Sequence, residues 1–191
     1  GQSAIAMMSA TLKRLDDDQL PAGIRGVAQE MFATLAPEMQ GFSRVALSNL
    51  WLFGPLLQKQ LEASGSSNAM LRTTTALTIV QAGNKDNVLP GRAEATVNFR
   101  LLPGDTIASV TAHVEDAAKA AAPKGKFELT RLPGSSEASP VSPTQSASYQ
   151  LINKTVRELF PGTVVAPGLM IGATDSRHMI EIADHVYRFS P

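Results

Sequence analysis

Two short clusters place anion-seeking side chains beside tight turns. The first is Asn87-Val88-Leu89-Pro90-Gly91, which leads into a run ending at Arg100; the second is Gly172-Ala173-Thr174-Asp175-Ser176-Arg177-His178. Glycine permits close backbone approach, an asparagine offers an amide donor, and a guanidinium can pair with both oxygens of a carboxylate. The chemistry on offer is therefore the gripping of an anion. A plainer reading makes the same residues a turn asparagine, a surface arginine and a capped helix start at Thr174 or Asp175. Catalytic and metal-binding residues are expected to be absent. His113, His178 and His185 are too scattered for a ligand set, His113 reading as a solvent-facing or interhelical residue. Asp16-Asp17-Asp18 lacks the spacing of a calcium loop and reads as a solvated helix end.

The elements that must carry these clusters follow from periodicity. Ile5, Met8, Leu12 and Leu15 recur at helical spacing, and Pro21 and Gly23 close that segment. Residues 25–63 form a second helical tract holding the single tryptophan, Trp51, with Phe32, Phe42, Phe53 and Leu57; it reads as a packing element, core or subunit contact. Residues 64–68 read as a loop. Residues 71–82 and 92–102 read as strands joined by Gly83-Asn84-Lys85-Asp86-Asn87, so they should pair antiparallel. In the second, Ala93, Ala95, Val97, Phe99 and Leu101 share one face and Arg92, Glu94, Thr96, Asn98 and Arg100 the other. Asp105 or Thr106 caps a helix striped by Ile107, Val110, Val114, Ala117 and Ala121, and a short strand is expected at 126–132. This order is a split βαβ arrangement without its first strand. After a serine- and proline-rich crossing at 133–143, a helix striped by Tyr149, Ile152, Val156 and Leu159 precedes expected strands at 163–165, 169–171 and 185–189. The reading gives two domains, 1–132 with a helical insertion at about 25–63, and an incomplete 133–191.

Composition removes other classes of function. The chain has 191 residues, with 17 basic and 17 acidic side chains and no net charge, so bulk electrostatics attract neither nucleic acid nor an anionic membrane. Aromatics make up 5% of the chain and none alternate on the polar face of the second strand, which disfavours an RNA-binding sheet. Cysteine is absent, which excludes disulfides and thiolate metal sites. No transmembrane run or signal peptide is evident, and the compartment is not legible.

Three stretches then resemble a known family. Arg72-Thr73-Thr74-Thr75-Ala76, Ala82-Gly83-Asn84-Lys85-Asp86-Asn87-Val88-Leu89-Pro90 and Val97-Asn98-Phe99-Arg100-Leu101-Leu102-Pro103-Gly104-Asp105 are similar to the lid of zinc metallopeptidases and aminoacylases typified by carboxypeptidase S. The 172–178 cluster and Val186-Tyr187-Arg188-Phe189-Ser190-Pro191 resemble segments of that family's catalytic domain, with Ala173 in place of a more usual glycine. The resemblance implies an α/β (α+β) chain: a ferredoxin-like lid with an antiparallel sheet, plus a piece of an α/β catalytic domain. It also implies a homodimer formed lid to lid, and a zinc-activated water that attacks an amide carbonyl. Substrates would be peptides or N-acyl amino acids with a free carboxylate. Carried onto this chain, the binding roles fall to Asn87 and Arg100 from the lid and to Thr174 and Arg177 from the catalytic side. The family's zinc ligands, its catalytic glutamate and its lid histidine have no counterpart here, so no zinc is expected in this chain. They are expected before Gly1, apart from a final ligand histidine after Pro191. A free-standing split βαβ ligand-binding or dimerisation module is the alternative; it accounts for the lid and leaves the tail unexplained.

Overall fold

The computed structural model describes residues 3–172 and 174–190. The chain divides into two compact units, one of Gly1–Pro21 and Arg72–Ala138, the other of Ala22–Leu71 and Ser139–Pro191.

The first unit holds two helices and a hairpin. Helix α1 (Ala4–Asp17) starts where the Ser3 hydroxyl accepts a hydrogen bond from the Ala6 amide at 3.2 Å. It ends in exposed ion pairs of Lys13 with Asp17 and Arg14 with Asp18. The aspartate run is thus a solvated helix end, and the two cations offset its unfavourable position at the negative pole of the helix. Leu15 is buried, and α1 packs on both strands of the hairpin and on the helix of Ile107–Ala121. Strands β1 (Thr74–Ala82) and β2 (Ala93–Arg100) pair antiparallel as the turn chemistry requires, from Thr74 opposite Arg100 to Ala82 opposite Ala93. The ladder slips by one residue between Leu77 and Ile79, where Thr78 bulges and its hydroxyl donates to the Thr96 carbonyl at 3.1 Å. On β2 the Ala93, Ala95, Val97 and Phe99 face is half-buried, while Glu94, Asn98 and Arg100 are exposed. Helix α6 (Ile107–Ala121) begins with a capping box in which Thr106 and Ser109 exchange side-chain and backbone hydrogen bonds. Its stripe buries Val110, Ala117 and Ala118. Gly125 follows α6 because the chain passes close to α1 there: a Cβ on it would lie 2.9 Å from the Met7 sulfur.

Thr73 is the one buried polar side chain among the described residues, at 0% exposure. Its hydroxyl donates to Asp105 Oδ2 at 2.6 Å and accepts from the Leu102 amide at 2.8 Å. One threonine thereby ties the start of β1 to the segment between β2 and α6.

The second unit is helical: α2 (Val27–Leu35), α3 (Gly41–Ser48), α4 (Leu50–Glu62), α5 (Gly65–Asn68) and α7 (Ala147–Leu159), with 3-10 turns at Ala36–Glu38 and Asp175–Glu181. Ala28, Phe32, Ala36 and Leu71 are its buried apolar residues. Ser146 caps α7 by accepting from the Tyr149 amide at 3.1 Å.

The fold is α+β, with one two-stranded antiparallel sheet among the described residues. Several expected elements differ. Residues 126–132 form no strand, and Phe127, Leu129 and Leu132 are exposed. Residues 163–165, 169–171 and 185–189 also lack strand pairing. Each has the side-chain pattern of a strand, but a strand exists only when a neighbour accepts its backbone hydrogen bonds. Residues 64–68, expected as a loop, include the single-turn helix α5. The aromatic tract is core only in part: α2 buries Phe32, whereas α3 and α4 bury no residue, Trp51 is 81% exposed, and Phe42 meets Phe53 edge-on at a centroid distance of 5.5 Å.

Candidate substrate-carboxylate site

The candidate residues fall into the two units. In the first, Asn87 lies exposed on the loop between β1 and β2. Gly83 opens that loop at φ +73°, a left-handed conformation suited to glycine. Ile5 at the start of α1 and loop residues Gly83, Lys85, Asp86, Leu89 and Pro90 line a shallow depression of about 480 Å³ beside Asn87. Arg100 stands exposed at the other end of the ladder, opposite Thr74. The seven steps of strand between Ala93 and Arg100 span roughly 23 Å at about 3.3 Å each. Asn87 and Arg100 thus belong to opposite ends of the hairpin, and this ladder does not bring them together.

In the second unit Thr174 and Arg177 share one turn, the Arg177 amide donating to the Thr174 carbonyl at 3.2 Å. Thr174 occupies the N-cap position without capping; its hydroxyl lies 2.6 Å from that of Ser176. The Arg177 Nε–H donates to His178 Nε2 at 3.2 Å, which requires that nitrogen to be the unprotonated one. Arg188 enters the same cluster, its Nε–H donating to Ser176 Oγ at 2.6 Å. Ala173 lies outside the described residues, so the substitution of alanine for glycine there has no structural account.

The segment carrying Arg188 is held from a distance. The Ser142 hydroxyl accepts from the Val186 amide at 2.8 Å and donates to the Val186 carbonyl at 3.1 Å. The Tyr187 hydroxyl donates to the Pro143 carbonyl and lies 2.6 Å from Ser146 Oγ. Tyr187 also faces Tyr149, with ring centroids 5.5 Å apart. Burial first, then the charges of Glu30 and Tyr187, push the Tyr149 phenol above its ordinary value, against a smaller opposing effect of Arg157. Thr144 and Gln145 hold Glu30 by hydrogen bonds to its Oε1.

Sequence reasoning assigned no role to Ser176 or Arg188. Both stand within the quoted motifs, but the bond between them links positions twelve apart and is set by the Ser142 clasp, 44 positions from Val186. His113 is half-buried, and its Nε2 has no hydrogen-bond partner among the described residues. Among those residues no group of three or more histidine, cysteine, aspartate or glutamate side chains is placed to hold a metal ion. No helix among them is long and apolar enough to cross a membrane.

Comparison with known proteins adds three findings. Residues 1–126 match the M20 peptidase dimerisation domain. Over its whole length the chain is 41% identical to an N-fatty-acyl-amino acid synthase/hydrolase, PM20D1, of Xenopus tropicalis and 35% identical to a probable carboxypeptidase S-like protein of Dictyostelium discoideum, covering 36% of each. It therefore spans little more than a third of the length of these relatives. An M20 family metallo-carboxypeptidase of Sulfolobus solfataricus aligns over 89% of this chain and 46% of its own, at 13% identity and a TM-score of 0.46. A lid-like unit of two helices on an antiparallel hairpin, matched through residue 126 by the family's own pattern, establishes that the chain belongs to the M20 peptidase dimerisation-domain family.

Proposed function

We propose that this chain is part of a metal-dependent hydrolase that cleaves the amide bond of N-acyl amino acids or short peptides carrying a free carboxylate. Its share of the work is self-association through the lid and recognition of that carboxylate. The observation that carries the reading is that relatives named as N-fatty-acyl-amino acid hydrolase and carboxypeptidase S-like match the whole chain, tail included. A free-standing module would account for residues 1–126 alone.

Zinc is the metal the family resemblance implies. The described residues do not fit a zinc site, since none of their acidic and histidine side chains gather around a common point. The ligands would belong to the protein outside this chain. What these residues do is bind and orient. Arg177 and Thr174 would present a guanidinium and a hydroxyl to the substrate carboxylate, fixing the amide at a set distance from the reacting centre. Asn87 and Arg100 would act from the two ends of the lid hairpin. Because roughly 23 Å of strand separates those ends, a dimer would draw Asn87 of one lid and Arg100 of the other into each active site.

The test is steady-state kinetics of the full-length protein on an N-acyl amino acid and on the same compound with its carboxylate converted to an amide. A kcat/KM at least ten-fold higher for the free carboxylate is expected. Equal rates on both would remove carboxylate recognition from the reading.

A further inference from the structure

Arg177 belongs to the 174–178 turn, and a second guanidinium, that of Arg188, reaches the same turn at Ser176. We propose that Arg188 is a further substrate-binding residue, which with Arg177 flanks the Thr174 and Ser176 hydroxyls and takes the carboxylate of an N-acyl amino acid or peptide. The proposal rests on the carboxylate-recognition reading and adds a residue to it.

Three features of the cluster carry it. First, Arg188 spends only its Nε–H on Ser176, at 2.6 Å, so its terminal N–H donors make no bond to the described residues. Second, neither arginine makes an ion pair among the described residues: Arg177 is held by an imidazole nitrogen and Arg188 by a hydroxyl, as Arg131 and Arg157 are held by neutral oxygens elsewhere. Asp175, in the same turn, makes no ion pair with either among the described residues. Third, the Thr174 and Ser176 hydroxyls lie 2.6 Å apart and hold two hydrogens between them. One serves their mutual bond, and Ser176 accepts from Arg188, so whichever hydroxyl donates, the other hydrogen is left for an outside acceptor. A guanidinium bonded to a hydroxyl pair that keeps one donor free, with Arg177 in the same turn, suits a carboxylate, which accepts through both oxygens.

Arg188 is also positioned rather than loose. The Ser142 hydroxyl grips both backbone polar groups of Val186, and Tyr187 is anchored to Pro143, so the backbone on its N-terminal side is fixed. This reduces the ordering cost of forming the site when substrate arrives.

The experiment is kinetic, on the full-length protein with the free-carboxylate and amidated substrates. Arg188→Gln is expected to raise KM for the carboxylate substrate about ten-fold or more and to change it less than about two-fold for the amide. Arg188→Lys should fall between, since it keeps the charge and loses the planar fork. Arg188 is exposed, so thermal unfolding of both variants should match the parent. A loss on Arg188→Gln that is equal for the two substrates, or absent for both, overturns the proposal. So does a Ser176→Ala variant that reproduces the whole effect, because Arg188 would then act only by orienting the hydroxyl pair. Arg177→Gln separates the proposal from its foundation. Selective loss there with none at Arg188 removes Arg188 alone, and no selectivity at either position removes carboxylate recognition by this turn.

Discussion

At the scale of single residues, the carboxylate role proposed for Arg100 and the packing of Thr73 predict opposite outcomes. Arg100 is exposed at a strand end, so its removal should act on substrate and leave folding nearly untouched. A charge-assisted hydrogen bond contributes about 1.5–3 kcal/mol. Arg100→Ala should therefore lower kcat/KM on the carboxylate substrate about ten-fold to a few hundred-fold, with a smaller loss for Asn87→Ala; a change below about two-fold would make Arg100 an ordinary surface residue. Thr73 is the opposite case. Thr73→Val keeps the shape and deletes a buried donor and acceptor at once, stranding the Leu102 amide. The expected cost is on the order of 2–3 kcal/mol, read as a lower denaturation midpoint at unchanged slope. Thr73→Ser should retain most of the stability. A valine variant as stable as the parent would show that water replaces the threonine hydroxyl there.

At the scale of elements, what could be read ahead of the structure was what each segment decides for itself. The longer helices were legible because apolar spacing, and at α6 the Thr106 cap, are signals within a few residues of each other; the caps at Ser3 and Ser146 and the single turn α5 were not read in advance. The hairpin was legible from its turn, and the candidate turn at 174–178 from its residue types. The strands expected at 126–132, 163–165, 169–171 and 185–189 were not decidable in that way, since a ladder needs a second segment. Nor were the Ser142 clasp and the Thr73 latch, whose partners lie 44 and about 30 positions away. The same distance in sequence shapes the surroundings of Tyr149, which sits on α7 but owes its raised pKa to burial, to Glu30 on α2 and to Tyr187 near the C-terminus. These 191 residues hold two tyrosines, so the ultraviolet titration of Tyr187→Phe, less that of the variant lacking both, isolates the Tyr149 phenol. It should still ionise above the usual value of about 10, because burial and Glu30 remain. The folded state holds this proton more tightly than the unfolded chain does. Its contribution to stability is thus fully present below about pH 10 and declines as pH rises through the folded-state value. Ionisation at or below about pH 10 would show that the phenol is solvated in solution.

At the scale of the molecule, placing Asn87 and Arg100 at opposite ends of one hairpin makes a prediction about assembly. If each active site takes one residue from each lid, the impaired Asn87→Ala and Arg100→Ala subunits should complement one another, the gain being read above the residual activity of each variant alone. A mixed dimer would hold one site with both residues and one with neither, so random mixing should recover about a quarter of the parental activity. No recovery would assign both residues to the same lid and the same site. Which way the loop tip points depends in turn on Thr78. Before it, odd-numbered residues of β1 face odd-numbered residues of β2, as Leu77 faces Val97; after it the parity reverses, and Ile79 faces Thr96. The extra residue is a phase shift built into the ladder. Deleting this exposed threonine would leave Ile79 opposite Thr96 and Ala82 opposite Ala93 but join the two halves into one regular ladder, removing the local bend and extra twist that a bulge gives its strand. The bulge thus aims the loop without choosing its partners, and deleting Thr78 should keep the hairpin paired while altering kcat/KM on the carboxylate substrate through the direction in which Asn87 is held.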